Sequence, residues 1–98
     1  MAKFGELISS EIPVLIDFYA EWEEESESFH ATLRDVAAAL GDRAKVIKID
    51  VDKNEVLANA LRIKGNPTFI IYKDGEMKWR QSGDQDANTL INLVQQYV

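Results

Sequence analysis

Glu23, Glu27 and His30 stand at i, i+4 and i+7, a spacing that sets two carboxylates and an imidazole on one face of a helix. That donor set suits a divalent cation, and Glu27-Ser28-Phe29-His30 has the Glu-x-x-His spacing of metal sites in helix bundles. Such sites take two of these motifs from different helices, and the chain has one histidine. The expected reading is therefore a solvated acidic face with no resident metal. A weak calcium or magnesium contact would suit its oxygens better than structural zinc. Ser26 lies in the same run, Glu21-Trp22-Glu23-Glu24-Glu25-Ser26-Glu27. As a nucleophile it would need a base and an oxyanion hole, and His30 on the same helix points the wrong way. Asp17 sits inside the apolar run Val14 to Tyr19, where desolvation raises a carboxylate's pKa. No cysteine occurs anywhere, which removes disulfides, thiolate metal sites and thiol nucleophiles together.

These groups need a frame. Ninety-eight residues, 46% of them hydrophobic, are enough for one packed domain over residues 1–98 and too few for two. A net charge of −6 argues against binding nucleic acid through its phosphates. No apolar run reaches the length of a membrane span, and Met1-Ala2-Lys3-Phe4-Gly5-Glu6 turns polar too soon for a signal peptide. The expectation is a monomeric, cytoplasmic domain with no cofactor, no membrane and no nucleic acid.

Phe4, Leu7 and Ile8 fall at helical spacing before Pro13. Val14-Leu15-Ile16-Asp17-Phe18-Tyr19 reads as a strand buried on both faces, as in sheets covered by helices on each side. From about Trp22 to Leu40 apolar residues recur every three or four positions, and Gly41 suits the cap. Lys45 to Val51 alternates as a second strand, and Asn54 to Leu61 is a short helix with Val56, Leu57, Ala60 and Leu61 expected inward. Gly65-Asn66-Pro67 turns the chain into a third strand, Thr68 to Tyr72. Asp74-Gly75 signals a hairpin into a fourth, Glu76 to Gln81. A last helix, about Asp86 to Tyr97, carries Leu90, Ile91, Leu93 and Val94 inward. The order α-β-α-β-α-β-β-α is α/β. It predicts a central mixed four-stranded sheet with helices on both faces.

Several segments in this order resemble the thioredoxin family over nearly the whole chain. Val14-Leu15-Ile16-Asp17-Phe18-Tyr19-Ala20-Glu21-Trp22 resembles the strand leading to its active-site helix, and Lys48-Ile49-Asp50-Val51-Asp52 its next strand. Ile63-Lys64-Gly65-Asn66-Pro67-Thr68-Phe69 resembles the loop with the family's cis-proline, and Ser82-Gly83 the glycine bordering its substrate groove. The resemblance implies a thioredoxin fold, here without the usual first edge strand because the N-terminus is shorter. It also implies a peptide groove at Trp22, Asn66, Pro67 and Gly83, where an extended peptide adds like a strand. Trp79 is expected to pack instead of recognising ligand.

Where the family has Cys-Gly-Pro-Cys after the tryptophan, this chain has Glu23-Glu24-Glu25-Ser26. A carboxylate replaces the exposed thiolate and a near-isostere the buried thiol, so no catalytic residue is expected and thiol–disulfide exchange is chemically excluded. In the family the buried aspartate, here Asp17, accepts a proton from the resolving cysteine, with Lys48 as its partner across the strands. Here both read as relics, and the acidic cluster is expected to raise the Asp17 pKa further. Two readings stay open. One is a redox-inactive protein, natural or made cysteine-free, that retains non-covalent peptide or protein binding. The other is a disulfide-oxidoreductase scaffold with its site disabled or recast as an acidic, metal-contacting one.

Overall fold

The run Val14-Leu15-Ile16-Asp17-Phe18-Tyr19 forms β1 (Val14–Tyr19), buried at every position but Tyr19. Its neighbours explain why it is apolar throughout. It pairs in parallel with β2 (Lys45–Asp50) and antiparallel with β3 (Thr68–Lys73), which pairs antiparallel with β4 (Glu76–Ser82). The sheet order is β2-β1-β3-β4, a mixed sheet as expected. This computed structural model describes residues 4–20, 26–63, 67–83 and 85–98, with the side chains of 26–29 not among those described.

Side chains of β1 alternate between two cores. Leu15 joins Leu33, Val36 and Leu40 of α2 (Ser26–Leu40) and Leu90 and Val94 of α4 (Ala87–Gln95). Val14, Ile16 and Phe18 face the other way, toward Ile8 of α1 (Phe4–Ile8) and Leu57 of α3 (Glu55–Ala60). A fully buried leucine or phenylalanine contributes about 1.5–3 kcal/mol by leaving water, so this central strand carries much of the fold's stability. Helices on both faces match the expected layering. No helix among the described residues is long and apolar enough to cross a membrane.

The Asp74-Gly75 hairpin has positive φ at both central residues, 55° and 80°, the backbone of a type I′ turn and the reason glycine suits the second position. Its amides are tied to the end of α1, Asp74 N donating to Ser10 O at 2.8 Å and Gly75 N to Ile8 O at 3.0 Å. The third helix corrects one expectation. Val56 is 85% exposed and Ala60 is exposed, while Ala58 is buried and Leu57 and Leu61 pack on the second core. In a helix of six residues two neighbouring apolar stripes are nearly equivalent in sequence, and tertiary anchoring decides between them. The anchor is Arg80 of β4, whose guanidinium donates to Leu61 O and to Arg62 O, the latter at 2.8 Å.

Candidate functional site

Asp17 is the polar exception in β1. Its side chain is fully buried, and neither carboxylate oxygen has a hydrogen-bond partner among the described residues. Burial raises its pKa from 3.8 to about 7, and the Lys48 ammonium pulls it back only in part. Lys48 stands opposite Asp17 in the parallel register, so the expected pairing across the strands is present as an electrostatic attraction and not as a hydrogen bond. The proton of Asp17 is thus held to near neutrality. The acidic segment expected to raise this pKa further, Glu21 with Glu23, Glu24 and Glu25, lies outside the described residues.

Pro67 and Gly83, 16 positions apart, meet at the other side of the site. Pro67 is buried, and its carbonyl accepts the Gly83 amide at 2.8 Å. The pair extends the β3–β4 ladder past the Thr68–Ser82 rung, where the two hydroxyl oxygens lie 3.1 Å apart. Gly83 takes φ +98°, and a Cβ there would meet nothing within 4 Å. Its backbone is therefore open to a neighbour, and side chains are disfavoured by conformation, not by crowding. The Thr68–Ser82 hydroxyl pair was not foreseen, because only the strand register brings these residues together.

Of the other expected site residues, Trp22, Glu23, Glu24, Glu25 and Asn66 lie outside the described residues. Ser26 opens α2, and its side chain, with that of Glu27, is likewise outside the description. His30 is half-buried, its ring set edge-on to Tyr19 with centroids 4.6 Å apart. It lines a small depression with Leu33, Arg34, Ala37, Val46 and Lys48, so its described polar neighbours there are cations. The described residues contain no group of three metal-ligating side chains, and Glu23 and the side chain of Glu27, expected beside His30, lie outside them. Trp79 packs partly buried against the first core, as expected.

The family model described as Thioredoxin matches residues 1–96. The chain is 41% identical over 95 residues to chloroplastic thioredoxin Y of Oryza sativa subsp. japonica, covering 96% of this chain and 56% of that protein. A thioredoxin-like protein of Synechocystis sp. is 36% identical over 98 residues, covering 99% and 93%. The chain spans about half the length of the chloroplastic plant relatives it matches. Among solved structures, chloroplastic thioredoxin z superposes with a TM-score of 0.80 at 36% identity, covering 89% of this chain and 79% of that one. A mutant thioredoxin from Halobacterium salinarum NRC-1 gives 0.83 at 34%, covering 99% and 87%.

Proposed function

We propose that this chain, which belongs to the thioredoxin family and has no cysteine, is a redox-inactive member that holds extended peptides without reacting with them. The surface is the groove of Trp22, Asn66, Pro67 and Gly83. The observation that carries the reading is the Pro67–Gly83 hydrogen bond at 2.8 Å, which keeps the groove's strand end in place in a chain with no thiol to act there. A groove of backbone groups binds an extended chain by adding it as a strand, and this needs no nucleophile. The five glutamates between Glu21 and Glu27 would favour basic peptides and make binding weaken with salt.

A titration of isotopically labelled protein with acetyl-Lys-Val-Lys-Val-Lys-Val-amide tests this. The expected result is a saturable shift of the Gly83, Ser82 and Thr68 amides that diminishes as salt is raised. Unmoved amides at millimolar peptide would remove the reading.

A further inference from the structure

The end of α3 carries a local conflict. Arg62 N donates to Asn59 O at 3.1 Å and Ile63 N to Ala58 O at 2.9 Å, the paired bonds of a helix end that turns through a left-handed residue. That residue is Arg62, at φ +56°. Asp74 is the other non-glycine at positive φ among the described residues, and it sits in a hairpin that tolerates a short polar side chain. Arginine has no such preference, and glycine is the usual occupant of this position at a helix end.

Arg80 answers the conflict from another element. Its half-buried guanidinium donates to Leu61 O and Arg62 O, carbonyls that the two helix-end bonds do not use. A cation there also faces the negative end of the helix. Three positions further along the chain, Gly83 N donates to Pro67 O at 2.8 Å. The β4 segment therefore holds residues 61–67 at both ends, through a side chain at Arg80 and through the main chain at Gly83. Pro67 stands five positions after Arg62, so little chain lies between the two grips to absorb a movement of the helix end.

We propose that Arg80 is a positioning residue for the Pro67–Gly83 groove. It fixes the helix end from which the groove segment departs, so that Arg80 and Gly83 act as the two jaws of one clamp. Its effect on bound peptide rests on the groove reading, whereas the clamp itself is read without any ligand.

Amide hydrogen exchange on labelled Arg80→Gln tests the clamp. Without the guanidinium, exchange at Ile63 and at Gly83 should rise together by about tenfold, the size expected for losing hydrogen bonds from a charged donor. Lys45 and Val51, whose amides are held by Pro13 O and Tyr19 O at the opposite edge of the sheet, should keep their rates. Arg80→Lys keeps the charge but loses the forked donor, and should fall between parent and Arg80→Gln. It carries the test if Arg80→Gln does not fold. Arg62→Gly removes the conformational conflict, so in the Arg80→Gln background it should restore part of the protection at both amides. Acetyl-Lys-Val-Lys-Val-Lys-Val-amide should bind Arg80→Gln about tenfold more weakly than the parent, with the Asp17 titration unmoved. Faster exchange at Ile63 alone would reduce Arg80 to a helix cap and overturn the proposal. Equal acceleration at Lys45 and Val51 would overturn it as general loosening, and so would unchanged peptide affinity beside a faster Gly83. If the parent protein binds no peptide, the groove reading falls, and joint exchange at Ile63 and Gly83 still decides the clamp.

Discussion

At the start of α4 the exposed Asp86 accepts the Thr89 amide at 2.7 Å, whereas Asp17 lies fully buried in β1 with neither oxygen hydrogen-bonded among the described residues. The helix cap lowers the pKa of Asp86 through that amide bond. Burial raises the pKa of Asp17 to about 7 against the pull of Lys48. One aspartate is placed where its charge stabilises the fold and the other where its charge opposes it. A position in the middle of a core strand would be better served, for stability alone, by an aliphatic side chain. Retaining an aspartate there fits a frame inherited from a chemical site.

The two carboxylates give opposite pH dependences. Asp17 binds its proton more tightly in the folded state than in the unfolded one. Stability from it is therefore greatest below about pH 4 and falls as pH rises toward 7, by at most about 4 kcal/mol. Asp86, whose folded pKa is depressed, contributes stability above the ordinary aspartate range that is lost as pH falls through its folded pKa.

The largest expected effect comes from Asp17→Asn. It should remove the decline between pH 4 and 7 and raise stability at pH 8 by up to a few kcal/mol, measured by urea unfolding across pH. A slope unchanged from the parent would break the comparison. Lys48→Gln acts on the same carboxylate from outside and should move the Asp17 titration upward, seen by carboxyl-carbon NMR. The effect should be smaller than that of Asp17→Asn, because the lysine is exposed. Asp86→Ala should speed exchange of the Thr89 amide and lower the melting temperature without altering the Asp17 titration. Smallest of all, Glu76→Gln removes a surface pair with Lys78 and should leave the melting temperature unchanged.

Much of this was legible in the residues, for reasons that differ along the chain. The run from Val14 to Tyr19 announced a central strand because burial on both faces leaves no polar alternation, and Asp17 stood out for the same reason. Asp74-Gly75 set the hairpin by backbone preference alone. The orientation of α3 was not legible, since Arg80 fixes it from 18 and 19 residues away. Nor were the Thr68–Ser82 hydroxyl pair or the depression beneath α2, which exist only once strands are in register. Of the four candidate groove residues named from type and order, Pro67 and Gly83 are joined by a hydrogen bond that spacing does not reveal.

The chain belongs to the thioredoxin family and has no cysteine, and the central proposal is that the family's thiol chemistry is lost at Glu23 and Ser26. The direct measurement is disulfide reduction by the Glu23→Cys, Ser26→Cys double variant, beside each single variant, with a protein disulfide as substrate and a chemical reductant to regenerate the dithiol. The account predicts turnover by the double variant and none by either single one. A double variant that forms its internal disulfide and folds, yet does not reduce the substrate, would contradict it.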